Sequence, residues 1–257
     1  THTNHLSSYR LRLSNVIPSD TERVLYLDSD MLALADVREL FGIHLGEHIA
    51  AVVPDCAIPN RNFFPKTKKL PKISLNGHTY FNSGVVLLNY PRYIEENIEE
   101  QCLDIIHNYQ THCPDQDALN IVLMGKILYL NFAWNCTLHL RYDKDDSQIA
   151  RSDYENAKQS PNIVHYSRYK PWHSHYFYTN TIGQPIVAQQ RELWWEAAAQ
   201  TPVYADILQH NNSFDVEALD RLNSFAHALN LLQLRIDRLR APSRALSQLW
   251  KKLRFWK

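Results

Sequence analysis

The chain has 257 residues, 45% of them apolar, which suffices for one large α/β domain with an appendage or for two small domains. Its 27 basic and 27 acidic side chains cancel, so no net charge draws the whole molecule to nucleic acid or to a membrane. No apolar run approaches the roughly 18 residues of a membrane span. The four cysteines form no C-x-x-C pair, which argues against a zinc ribbon or thioredoxin-type site and for a reduced, cytoplasmic setting.

The text opens at Thr1 and reads as part of a longer chain. Leu6, Leu13 and Ile17 are spaced as one helical face, which predicts a helix that Ser7 or Ser8 caps and Pro18 ends. Arg10 and Arg12 on it cannot both face a core. Either both are solvated or one reaches an anionic ligand. Residues 24–27 form an apolar run of the length of a central strand in a parallel sheet. Asp28 and Asp30 follow directly. In an extended chain that spacing points both carboxylates the same way. They repel unless a cation lies between them, and a hard divalent ion that also holds a phosphate fits. The carboxyl end of a strand is where open α/β sheets bind ligands. The triplet equally fits an acidic turn.

Residues 36–41 read as a short helix with an Asp36 cap and a Gly42 stop. A second buried strand spans 49–53 and ends at Pro54-Asp55. Residues 56–78 show no periodicity and read as a long loop, functional or mobile. Residues 85–88 form a third strand behind the polar approach Asn82-Ser83-Gly84. Gly84 there either admits a ligand to the backbone or relieves strand packing. Residues 95–109 form an amphipathic helix with Ile98, Cys102 and Ile105 on its apolar face. Pro114-Asp115-Gln116-Asp117 opens another, its acids matching the helix dipole. Residues 127–130 are a short strand, 141–161 a polar loop, and 162–166 a strand with His165 at its exit. Imidazole suits Mn²⁺ better than Mg²⁺. If the two strands are neighbours, Asp28, Asp30 and His165 can share one ion.

A helix holding Trp194 and Trp195 closes the globular part near Tyr204. This predicts one domain over 1–204 and a helical extension over 205–257. In the extension, apolar residues from Ala218 to Leu239 recur as a heptad seam that pairs with a second copy or folds back on the domain. From 241 to 257 there are five basic residues and no acid, interleaved with Leu249, Trp250 and Leu253. That fits either an amphipathic helix on an anionic membrane surface or a solvated tail.

Several motifs occur together in a familiar order: Ser8-Tyr9-Arg10-Leu11, Tyr26-Leu27-Asp28-Ser29-Asp30, Phe81-Asn82-Ser83-Gly84, Asp115-Gln116-Asp117-Ala118, Trp134-Asn135, and His165-Tyr166 with Lys170-Pro171-Trp172. In this set the chain resembles glycosyltransferase family 8, especially its bacterial lipopolysaccharide and lipooligosaccharide galactosyl- and glucosyltransferases. The resemblance implies an α/β GT-A fold, Rossmann-like and incomplete at its N-terminus, with about 75 to 80 residues of the nucleotide-binding unit preceding Thr1. It implies a retaining transfer of galactose or glucose from a UDP-sugar to a hydroxyl of a glycan or glycolipid, with no nucleic-acid partner. A non-catalytic sugar-nucleotide-binding relative is the alternative.

By resemblance, Asp28, Asp30 and His165 match ligands of Mn²⁺, with Mg²⁺ as the alternative ion. Arg10, Asp28, Ser29, Asn82 and Lys170 match donor-binding positions. Asp115 and Gln116 match residues at the reacting sugar, Gln116 being the proposed nucleophile or electrostatic support. Asp55 matches the start of an acceptor-facing loop. The implied location is the cytoplasm of a bacterium, peripheral on the inner membrane face. Between His165 and Lys170 the chain has one residue fewer than the related galactosyltransferases.

Overall fold

The computed structural model describes residues 10–55, 62–137, 149–167, 170–172 and 188–209. The chain divides into two compact units, 1–170 and 171–257. In chain order the first unit contains β1 (Arg23–Leu27), β2 (Met31–Ala33), α1 (Arg38–Phe41), β3 (Ala50–Pro54), β4 (Asn62–Phe63), β5 (Ile73–Ser74) and β6 (Phe81–Asn89). It continues with α2 (Tyr90–Glu95), α3 (Ile98–Asn108), α4 (Pro114–Val122), β7 (Ile127–Tyr129), β8 (Cys136–Thr137), α5 (Arg151–Gln159) and β9 (Ile163–His165).

The main sheet runs β1-β6-β3-β7. Its two inner strands are continuous apolar runs. Ala50 to Val53 on β3 and Val85 to Leu88 on β6 are all buried, as expected where both faces of a sheet are covered. The predicted placement of residues 24–27 is corrected here. β1 pairs antiparallel with β6, Tyr26 opposite Val86, and lies at the end of the described strand order rather than at its centre. All five of its residues are only partly buried. The parallel pair is β3 with β7. An apolar run records burial but not the direction of its partner.

β3 and β6 slip register at one point. Val52 faces Val86, whereas Val53 faces Asn82, leaving Ser83, Gly84 and Val85 with no facing residue on β3. Such bulges re-aim side chains and free backbone groups beside functional sites. Behind the sheet, Ile98, Cys102 and Ile105 on α3 and Ala118, Leu119 and Ile121 on α4 join Val52, Phe81, Val86 and Leu88 in one core. Burial pushes the Cys102 thiol well above the ordinary range, with the Asp115 and Glu99 charges adding to it.

Three further expectations change. The helix expected over 95–109 starts only at Ile98, because Asn97 takes a left-handed conformation with φ 51° between α2 and α3; asparagine tolerates that region better than most side chains. In the described part of the segment before Pro18, the chain forms a short 3-10 turn, Leu13–Asn15, with Leu11 and Leu13 buried. Within 141–161, expected to be loop, α5 forms and buries Tyr154 and Ala157, Tyr154 stacking on Phe132 at 5.7 Å. Two buried residues among nine leave little apolar period to read. The 56–78 loop carries the small hairpin of β4 and β5.

A second sheet, β2-β9-β8, positions the site. β2 runs antiparallel to β9, with Met31 opposite His165, and β8 runs parallel to it, with Thr137 opposite His165. The second unit contains α6 (Ala188–Ala198). Trp194 lies 4.9 Å from Trp172 and packs edge-on to Trp195, whose indole N–H donates to the Pro171 carbonyl at 3.2 Å. The 218–239 seam and the 241–257 tail lie outside the described residues. Among the described residues no helix is long and apolar enough to cross a membrane.

Candidate functional site

Asp28 and Asp30 sit in the turn between β1 and β2, with Ser29 exposed at its tip. They are therefore not on an extended strand, yet both carboxylates meet the same imidazole. His165 Nε2 lies 3.3 Å from Asp30 Oδ1 and 3.7 Å from Asp28 Oδ2. One ligand atom from each of the three residues lies within 4.8 Å of the others. Two carboxylate oxygens and a buried imidazole nitrogen form a donor set suited to a divalent transition metal. The pairing of β2 with β9 creates this meeting, and the Tyr166 N–H fixes it by donating to the Asp30 carbonyl at 2.9 Å.

Lys170 also reaches the cluster. Its ammonium pairs with Asp30 and donates to the Tyr166 carbonyl at 2.6 Å. Burial pushes the Asp30 carboxyl upward, but the adjacent His165 ring and Lys170 ammonium outweigh it and hold it well below the usual carboxylate range.

Arg10 joins Asp28 to α4. Its guanidinium bridges Asp28 at 3.0 Å and Asp115 at 2.7 Å and stacks over the Tyr26 ring at 4.8 Å. The Tyr26 hydroxyl donates to Asp28 Oδ1 at 2.8 Å. Arg10 is therefore not left to solvent: it pairs with two acids of the chain itself. Burial raises the Asp115 carboxyl most strongly, and the Arg10 charge opposes that rise.

Gln116 is held at both ends. Its Oε1 accepts from the Ser83 N–H at 2.9 Å, a donor the bulge frees from the ladder, and its Nε2 donates to the Tyr80 hydroxyl at 3.2 Å. Asp117 is fully buried and was read from sequence only as dipole compensation. Its Oδ1 accepts from the Tyr80 hydroxyl at 2.6 Å and its Oδ2 from the His112 and Cys113 N–H groups at 2.7 and 2.9 Å. Asp55 is buried at the end of β3, its N–H donating to the Tyr80 carbonyl at 2.8 Å.

Asn82 Oδ1 accepts from the Gly84 N–H at 3.0 Å and from Asn135 Nδ2 at 2.8 Å, and Asn135 Oδ1 lies 2.8 Å from His165 Nδ1. Gly84 leaves room for this ring. A Cβ there would come within 2.6 Å of both His165 Cε1 and Met31 Cε. Of the two readings of Gly84, close packing is the one the structure bears out. Met31 can swing away, but His165 is held by Asn135. Gly84→Ala should therefore lower stability by about 1–3 kcal/mol and weaken divalent-metal binding. Thermal unfolding and metal titration of the variant check both.

The family model described as Glycosyl transferase family 8 matches residues 1–176. Among curated proteins, the chain is 28% identical over 210 residues to General stress protein A of Bacillus subtilis, covering 73% of the chain and 71% of that protein. It is 30% identical over 212 residues to the lipopolysaccharide 1,3-galactosyltransferase of Salmonella typhimurium, covering 79% of the chain and 59% of the relative. To the lipopolysaccharide 1,2-glucosyltransferase of Escherichia coli K12 it is 29% identical over 172 residues, covering 64% of the chain and 48% of the relative. The chain thus spans only about half of these two lipopolysaccharide transferases. Among solved structures, the apo bifunctional glycosyltransferase WbbM matches at 21% identity and a TM-score of 0.60, covering 81% of this chain and 38% of that one. The galactosyltransferase LgtC, solved with donor and acceptor sugar analogues, matches at 23% identity and 0.56, covering 78% and 69%. At these identities the likeness concerns the fold, which is that of the GT-A glycosyltransferases.

Proposed function

The chain belongs to glycosyl transferase family 8, and from that premise we propose that it is a retaining hexosyltransferase moving galactose or glucose from a UDP-sugar to a hydroxyl of a cell-surface glycan or glycolipid. The observation that supports this most is the convergence of Asp28, Asp30 and His165 with Arg10, Asp115 and Gln116 around one turn. A divalent ion held by the first three, Mn²⁺ in preference to Mg²⁺ given the imidazole, would supply Lewis-acid neutralisation of the departing diphosphate. Lys170 adds a second positive charge there, so the leaving oxygen needs no protonation by an acid. Arg10, Ser29 and Asn82 hold the donor, and Asp55 faces the acceptor.

In this reading Gln116 and Asp115 position the sugar. Both ends of the Gln116 amide are already bonded within the protein, and an amide is a poor nucleophile. Asp115 is tied to Arg10 at 2.7 Å. The acceptor hydroxyl then attacks the anomeric carbon from the face that UDP leaves, its proton passing to the departing diphosphate as the sugar–phosphate bond breaks, and the configuration is kept. We place the reaction on the cytoplasmic side of a bacterial inner membrane, with the 241–257 tail on anionic lipid, the 218–239 seam joining copies, and 1–204 and 205–257 as separate domains.

The test is UDP release from UDP-galactose and UDP-glucose with Mn²⁺, with and without a lipopolysaccharide-core acceptor, followed by NMR of the product anomer. Acceptor-dependent release with an α-linked product is expected. UDP binding without turnover from either donor would instead make the chain a non-catalytic relative, and a β-linked product would overturn retention.

A further inference from the structure

Asn135 belongs to none of the roles assigned above, yet it is 1% exposed and touches two of the residues that have them. Its amide lies between Asn82 and His165, at 2.8 Å from each. The two ends of an amide have nearly the same shape, so which end faces which neighbour follows from counting donors and acceptors. The count has one fixed starting point. The Gly84 backbone N–H can only donate, and it donates to the Asn82 side chain at 3.0 Å. The Asn82 atom there must be the oxygen. That oxygen also faces the Asn135 amide, so Asn135 must present its NH₂ to it. Asn135 is then left with only its carbonyl oxygen toward His165 Nδ1, and that nitrogen must carry a proton.

We infer that Asn135 is a positioning residue that fixes the protonation state of His165 Nδ1, through a relay that begins at the Gly84 N–H and passes through Asn82. The relay leaves Nε2 as the ligating nitrogen, and Nε2 is the atom that faces Asp28 and Asp30. A ligating imidazole needs this arrangement: one nitrogen free for the ion, the other donating to an oxygen that fixes ring and tautomer. The relay also ties a donor-sugar position, Asn82, to a metal ligand by hydrogen bonds alone. Rotation of the Asn82 amide on sugar binding would be felt at the imidazole. Without Asn135, nothing in the relay opposes the other tautomer, in which Nε2–H donates to the adjacent Asp30 carboxylate and is lost as a ligand.

The inference uses the metal site of the proposed function, but its main readout needs neither metal nor sugar nucleotide, so the two can fail separately. Two-bond ¹H–¹⁵N correlation spectra of the metal-free protein, with the His165 signals assigned by their loss in His165→Gln, report the proton directly. A protonated Nδ1 is expected in the unaltered protein and in Asn82→Asp, which keeps an oxygen facing both Gly84 and Asn135. In Asn135→Ala, Nδ1 should lose its proton, and calorimetric affinity for Mn²⁺ should fall about 10- to 100-fold. An unprotonated Nδ1 in the unaltered protein overturns the inference, whether or not Asn135→Ala folds. So does a folded Asn135→Ala that keeps both the Nδ1 proton and the Mn²⁺ affinity.

Discussion

Asp30→Ala should reduce UDP release by about 100-fold or more and abolish measurable Mn²⁺ binding, while leaving a folded protein. Asp30 serves two partners at once. It offers a carboxylate oxygen 3.3 Å from His165 Nε2, and it seats the Lys170 ammonium. The carboxyl stays ionised at neutral pH, because the neighbouring His165 and Lys170 outweigh the upward push of burial. Alanine leaves Asp28 as the one carboxylate beside the imidazole and leaves Lys170 without its anionic seat. Asp30 is only partly buried and makes none of the core contacts, so the fold should survive. Calorimetric titration with Mn²⁺ and a donor-hydrolysis assay measure the two losses. A variant that keeps metal affinity and turnover would remove the Asp28–Asp30–His165 group from consideration as the metal centre.

Asp117→Ala should cost about 3 kcal/mol of stability, a large share of the roughly 5–15 kcal/mol available to a domain. The carboxylate is fully buried and accepts three hydrogen bonds, from the Tyr80 hydroxyl and the His112 and Cys113 N–H groups. Alanine removes the acceptor of all three donors, and the Tyr80 hydroxyl among them is buried, where an unmet donor costs about 1–3 kcal/mol. The Tyr80 hydroxyl also accepts from Gln116, so the loss reaches that side chain too. Asp117→Asn keeps the shape and part of the accepting capacity, and should be clearly milder. Urea unfolding of both variants decides the matter. Equal, small losses would show that Asp117 acts mainly on the helix dipole.

The two acids on α4 show where sequence reading stopped. Pro114 and the acids behind it marked the helix start, and the helix begins there. The dipole argument applied equally to Asp115 and Asp117, since both lie in the first turn. The structure separates them. Asp115 pairs with Arg10, more than a hundred positions earlier in the chain. Asp117 turns back to cap its own helix and reaches Tyr80. Spacing within a helix gives a residue's turn and face, but not the distant partner that face meets.

Gly84 and Asn135 show the same limit. Gly84 was visible as an exception in a strand, without its cause; the cause is the His165 ring. Asn135 stood in a recognisable Trp134-Asn135 pair with no chemistry attached, and its role depends on lying between β6 and β9.

Taken alone, the sequence was enough to set the class of fold, the apolar strands 49–53 and 85–88, the start of α4, and Asp28, Asp30 and His165 as candidates for one ion. These are local facts, written in burial period, helix-start chemistry and residue type. Only the tertiary structure decided that β1 pairs antiparallel with β6, that β2 and β9 bring His165 to the two acids, and that a bulge in β6 turns the Ser83 N–H to Gln116. Each of these is a hydrogen-bonded meeting of segments far apart in the chain. A donor and its distant acceptor leave no shared mark in the local pattern, because any number of partners would satisfy the same group equally well.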